Sequence, residues 1–209
     1  VDRTPLPPGR RILVVSDIHG HLPFFQALMD KVALAPSDIL IPLGDFLEKG
    51  RDSLALLRHL MERYGKAEVV QWPVEVWNEP NLRGFWENAD MEEYFKLFHR
   101  SFDAVKAVDA GFRVGGPAVC GGSDEKWIRA FLEYCSKNRI AVDFVTRHHY
   151  TIEQPVEEGH YAYSRLMRPE DGFANLRTSR DIIDSFPEYK GLPIHITEFN
   201  TSYTPKGVI

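Results

Sequence analysis

Apolar residues in this chain fall into short strand-like runs that alternate with stretches at helical spacing. Residues 12–15 (Ile-Leu-Val-Val) form a β-branched run that stops at Ser16-Asp17, and residues 23–32 read as a helix. Residues 39–43 are a second apolar run, ending at Gly44-Asp45. Over residues 53–64, Leu54, Leu57, Leu60 and Met61 share one helical face, and Gly65 supplies a stop. Residues 74–77 lead as a strand into Asn78-Glu79-Pro80, where the proline favours a turn. A long amphipathic helix follows over 91–108, a strand over 112–114 and a Gly-Gly-Pro loop over 115–117. Residues 126–138 read as a helix, 142–146 as a strand, 176–185 as a helix and 194–197 as the last strand. The irregular stretch 151–172 reads as a functional loop.

About six strands, each next to a helix, predict an α/β protein with a mainly parallel sheet. A complete (β/α)8 barrel has eight strands and typically about 250 residues. The expectation is therefore a partial or altered (β/α) barrel.

Composition narrows the partners. At 209 residues with 44% hydrophobic and 26% charged side chains, the chain supports one substantial core or two small ones. The net charge of -5 and the lack of a lysine or arginine run argue against nucleic acid. Cys120 and Cys135 are too few for a disulfide framework or a four-thiolate metal site, and read as small buried hydrophobes, with one bridge between them left open. No apolar run nears the roughly 20 residues of a membrane span. Residues 1–11 are proline-rich without an apolar centre, so a cytoplasmic location is expected.

Glu79 and Glu198 each follow an apolar strand directly, where α/β proteins place catalytic groups. Cleaving a glycosidic bond needs one carboxylic acid to protonate the leaving oxygen and one carboxylate to attack the anomeric carbon, with no metal. Taken singly, a glutamate at a strand end is more often a solvated loop residue or a helix N-cap partner than a catalytic group.

Their surroundings resemble those of a known family. Trp72-Pro73-Val74-Glu75-Val76-Trp77-Asn78-Glu79-Pro80-Asn81-Leu82 is similar to the acid/base strand of family 39 glycoside hydrolases, chiefly bacterial β-xylosidases. So are Val114-Gly115-Gly116-Pro117-Ala118, Asp143-Phe144-Val145-Thr146-Arg147-His148 and His195-Ile196-Thr197-Glu198-Phe199-Asn200-Thr201-Ser202-Tyr203, in the family's order. The resemblance runs from about Arg58 to the end. It implies a retaining β-xylosidase with Glu79 as acid/base and Glu198 as nucleophile, a small β-xyloside substrate, and no cofactor or metal. It also implies that Asn78 bonds the sugar 2-hydroxyl and that His148 and Tyr150 line the sugar subsite. His148 reads equally as a hydrogen-bonded strand-end histidine. His149 reads as structural, and Trp86 is the best stacking candidate among the tryptophans.

The first segment differs. Asp17-Ile18-His19-Gly20 and Gly44-Asp45-Phe46-Leu47-Glu48 resemble the opening of calcineurin-like metallophosphoesterases, in which Asp17, His19 and Asp45 would hold one metal of a pair. The Gly-Asn-His and Gly-His-x-His segments that complete such a site are missing, and His160 and His195 have no supporting spacing. The two resemblances meet in the helix over 53–64 and imply a chimera. Residues 1–57 would be phosphoesterase-like and 58–209 glycosidase-like, packed as one domain. The alternatives to a glycosidase are then a metal-dependent phosphoesterase or a chimeric scaffold without catalysis. The sequence is compatible with an oligomer.

Overall fold

The computed structural model describes residues 8–42, 51–201 and 207–208, and the chain divides into two compact units, Val1–Val69 and Val70–Ile209.

In the first unit, β1 (Ile12–Val15) and β2 (Ile39–Pro42) pair in parallel, with Ile12 opposite Ile39. The connecting helix α1 (Leu22–Lys31) opens with Pro23 in its first turn, where a missing N–H costs nothing. Helices α2 (Ser53–Tyr64) and α3 (Lys66–Val69) follow. Phe25 and Met29 of α1, Leu56, Leu57 and Leu60 of α2, and Val69 are buried. The Arg11 guanidinium ties the connections together: it donates to Asp38 Oδ2 at 2.5 Å and to the carbonyls of Val32 and Ala33.

The second unit alternates strand and helix. Its elements are β3 (Pro73–Glu75), α4 (Met91–Val108), β4 (Arg113–Val119), α5 (Arg129–Lys137), β5 (Phe144–Tyr150), β6 (Val156–Glu158), β7 (Tyr161–Tyr163), α6 (Pro169–Asp184), β8 (Ile194–Asn200) and β9 (Gly207–Val208). Strands β3, β4, β5 and β8 form an all-parallel sheet in that order. Asp90 caps α4 by accepting from the Glu93 amide at 3.1 Å. That helix buries Tyr94, Phe95, Phe98 and Val105, and α5 buries Phe131, Leu132 and Cys135.

The sheet is curled. Neighbouring strands lie roughly 4.8 Å apart, so the outer strands of a flat four-stranded sheet are roughly 14 Å apart. Yet Thr197 on β8 donates to Glu75 Oε1 on β3 at 2.9 Å, from one outer strand to the other. Only a strongly rolled sheet brings those side chains together. The second unit is thus a partial (β/α) barrel.

All six expected strands are present, in parallel sheets of two and four strands. Three run further than expected. β4 continues through Gly115-Gly116-Pro117, which reads as a loop in sequence. The glycines are there for packing: a Cβ at 115 would lie 2.4 Å from the Phe144 carbonyl oxygen, and one at 116 would lie 2.8 Å from the Tyr94 hydroxyl. β5 and β8 extend through polar residues to Tyr150 and Asn200. The expected loop over 151–172 contains the β6–β7 hairpin, which β9 joins, and the first turn of α6.

Candidate active site

Strand β5 sorts its side chains between two faces with a period of two. Thr146, His148 and Tyr150 point into the concave face: Thr146 Oγ1 accepts from the Ala118 amide, His148 meets Glu79, and Tyr150 meets Glu198. Arg147 and His149 point toward the helices. The fully buried Arg147 pairs with Asp124 and donates to Ser179 Oγ at 2.8 Å and to the Asn175 carbonyl on α6 at 3.1 Å.

Glu79 is buried in the loop after β3, with a left-handed backbone (φ +44°) that residues other than glycine rarely adopt. Its amide donates to the Ala118 carbonyl at 3.0 Å. The same loop is tied to the end of β4 by Asn81, which donates to Cys120 Sγ and Ser123 Oγ and accepts from the Cys120 amide.

Glu198 reaches the same place from β8 through a β-bulge. Arg147 pairs with Ile196, but His148 pairs with Glu198, so Thr197 is the extra residue. The bulge re-aims the strand at the site. Glu198 Oε2 accepts from the Tyr150 hydroxyl at 2.8 Å and lies 3.6 Å from His148 Nδ1. His148 Nδ1 lies 2.7 Å from Glu79 Oε1. Either the imidazole N–H donates to a carboxylate, or a protonated Glu79 donates to a neutral ring.

One donor atom from each of Glu79, His148 and Glu198 lies within 4.8 Å of the other two. The structure therefore brings together four of the five residues that the sequence singled out for the glycosidase site: Glu79, Glu198, His148 and Tyr150. Asn78, the fifth, sits half-buried immediately before Glu79. The carboxylate and imidazole donors are also of kinds that bind a divalent cation.

Burial is the main electrostatic influence here. It pushes the Tyr150 phenol well above its usual range, with the bond to Glu198 adding to the effect, so Tyr150 stays a donor. It also raises the Glu75 carboxyl, against the bonds from Thr146 and Thr197 that favour the charged form. The Cys120 thiol, beside Asn81, is raised mainly by burial as well.

Sequence reasoning missed Glu75, Thr146, Thr197 and Asn81. The available signal for Glu75 was a carboxylate inside an apolar strand. Trp86 belongs to an aromatic cluster: it packs edge-on against Trp77 at 5.1 Å, and its ring N–H donates to the Asp90 carbonyl.

In the first unit, Asp17 and His19 both have left-handed backbones in the turn after β1, with His19 Nε2 at 3.7 Å from Asp17 Oδ1. Asp45 and Glu48 lie outside the described residues. Among the described residues, no cluster of three metal-competent side chains forms around Asp17 and His19.

A curled parallel α/β sheet that gathers two strand-end carboxylates around one histidine is an arrangement suited to glycosyl transfer, and comparison with known proteins places it. Residues 46–208 match the model of glycosyl hydrolases family 39. The chain belongs to that family. It is 45% identical over 190 residues to a β-xylosidase from Geobacillus stearothermophilus, covering 89% of this chain and 37% of that protein. The crystal structure of a monomeric β-xylosidase from Caulobacter crescentus CB15 matches with a TM-score of 0.65 at 42% identity, over 72% of this chain and 30% of that one. A GH39 enzyme from Xanthomonas axonopodis pv. citri also gives 0.65, at 40% identity over 72% and 29%. This chain thus spans about a third of the length of these relatives.

The 190-residue match is longer than the stretch from Arg58 to the end, so the family likeness reaches upstream of Arg58. The comparisons lend no support to a fused metallophosphoesterase segment. Among the described residues, no helix is long and apolar enough to cross a membrane.

Proposed function

We propose that the chain carries the catalytic pair of a retaining glycosidase acting on β-xylosides, with Glu198 as nucleophile and Glu79 as acid/base. The observation that carries this reading is the approach of a Glu79 and a Glu198 oxygen to within 4.8 Å. Retaining glycosidases hold their carboxyls about 5–5.5 Å apart, whereas inverting ones leave about 6.5–9.5 Å for a water. In the first step a Glu198 oxygen attacks the anomeric carbon, the glycosidic C–O bond breaks, and the leaving oxygen takes the proton of Glu79. In the second step Glu79 takes a proton from water, whose oxygen attacks the same carbon and releases Glu198 as carboxylate.

His148 is placed to hold Glu79, and Tyr150 to orient Glu198. Asn78, adjoining the acid/base, is assigned the sugar 2-hydroxyl. Turnover of an aryl β-xyloside tests the reading: Glu198→Ala should abolish it, and wild-type-like activity in that variant would sink the assignment.

A further inference from the structure

We infer that Glu75 is a positioning residue for this glycosidase reaction, a strut that accepts hydrogen bonds from Thr146 and Thr197 and so fixes the separation of Glu79 and Glu198. The inference rests on the proposed glycosidase reading and extends it to a residue that touches neither substrate nor leaving group.

Glu75 ends β3, four residues before Glu79. Its Oε1 accepts from the Thr197 hydroxyl at 2.9 Å, and the Thr146 hydroxyl also hydrogen-bonds to its carboxyl. Thr146 Oγ1 accepts from the Ala118 amide at 2.9 Å, which leaves its own proton for Glu75. The Ala118 carbonyl in turn accepts from the Glu79 amide at 3.0 Å. One arm of this network therefore ends on the backbone of Glu79, and the other on the residue next to Glu198. Three strands, β3, β5 and β8, converge on a single carboxyl.

The Thr197 arm matters most because Thr197 is the bulged residue. A bulge leaves its extra residue unpaired in the ladder, and here that residue's hydroxyl is anchored across the concave face. Without the anchor, β8 can relax toward regular pairing with β5. A one-residue slip would send the Glu198 side chain to the opposite face of the sheet. Burial raises the Glu75 carboxyl and the Glu198 charge adds to it, against the bonds from Thr146 and Thr197 and the nearby His148. A carboxyl whose every identified hydrogen bond leads to a catalytic segment fits a positioning role better than a packing one.

Glutamine retains the accepting Oε1 and alanine does not. The test compares wild type, E75Q, E75A, T197S and T197V of the full chain, using steady-state hydrolysis of an aryl β-xyloside and a thermal melt for folding. E75A and T197V should lose kcat, by roughly a hundredfold for an error of about 1 Å in E75A, with KM little changed. E75Q and T197S should stay near wild type. Wild-type kcat in E75A overturns the inference, and so does an E75Q variant as impaired as E75A, because charge rather than placement would then be what matters. If E75A fails to fold, T197V against T197S decides in the same way.

Crystal structures of wild type and T197V give a readout independent of turnover. A wider Glu79–Glu198 separation in T197V supports the strut, and an unchanged one overturns it. Should wild type hydrolyse no xyloside, the glycosidase reading fails, while these structures still decide whether the strut sets the geometry.

Discussion

The Tyr150 hydroxyl donates to Glu198 Oε2 at 2.8 Å, from a position two residues beyond the histidine that contacts both glutamates. The contact follows from β-strand periodicity. Because Thr146, His148 and Tyr150 alternate with residues facing the helices, one strand supplies three groups to one concave face. The bond holds the carboxylate of Glu198, the proposed nucleophile, and burial keeps the phenol protonated to donate it.

Tyr150→Phe should therefore lower turnover of an aryl β-xyloside with the fold intact. A hydrogen bond to a charged group contributes about 1.5–3 kcal/mol, so the loss should be roughly ten- to hundredfold. Steady-state kinetics beside a melting curve check this, and unchanged kcat would mean that the bond does not orient Glu198.

Behind the site, Arg147 and Asp124 form an ion pair with side chains only 1% and 5% exposed. Burial depresses the guanidinium and raises the carboxyl, each against the attraction of its partner. The pair joins β5 to the π-helical segment Asp124–Ile128 that runs into α5, and through Ser179 and Asn175 to α6. Removing one member leaves a buried charge without compensation, which costs about 3–5 kcal/mol. Asp124→Ala should lose about that much stability in urea unfolding. A loss below about 1 kcal/mol would show that water or rearrangement satisfies Arg147.

His195 stacks on Phe144 with ring centres 4.6 Å apart and planes within 10°. Burial first, and Arg113 second, hold its imidazole below the usual range. The folded chain therefore binds the proton less readily than the unfolded chain. This group's contribution is fully present above the ordinary value near 6.5 and is lost as pH falls through that value toward the lowered one. His149, also lowered chiefly by burial, acts in the same direction. His195→Phe keeps a stacking ring but removes the titration, so its melting temperature should fall less steeply below pH ~6.5 than that of wild type. Parallel slopes for the two proteins would contradict the assignment.

Much of the framework is legible in the sequence because apolar runs and helical spacing report burial directly. The helix expected over 91–108 is found with the same limits, since its four buried residues recur on one face. The ends of β4, β5 and β8 are not legible in the same way. Gly115 and Gly116 look like a turn, yet they are strand residues whose missing side chains make room for Phe144 and Tyr94. The Arg-His-His-Tyr end of β5 looks too polar for a buried strand until its partners on both faces are known. Glu79 and Glu198 could be singled out from strand ends and motif. Glu75 stands out only as a carboxylate inside an apolar strand, and its role depends on a sheet curl that brings two outer strands together. The Thr197 bulge is likewise a property of pairing between segments, invisible in either segment alone.

The central claim is that Glu198 attacks carbon while Glu79 serves the leaving oxygen. Incubation with a 2-deoxy-2-fluoro β-xyloside bearing a dinitrophenyl leaving group tests it most directly, because the fluorine slows release of the glycosyl-enzyme more than the activated leaving group slows its formation. Intact-mass and peptide analysis should find one fluoroxylosyl adduct, on Glu198, and none in Glu198→Ala. An adduct on another residue, or hydrolysis of the parent xyloside that persists undiminished in Glu198→Ala, would contradict the account.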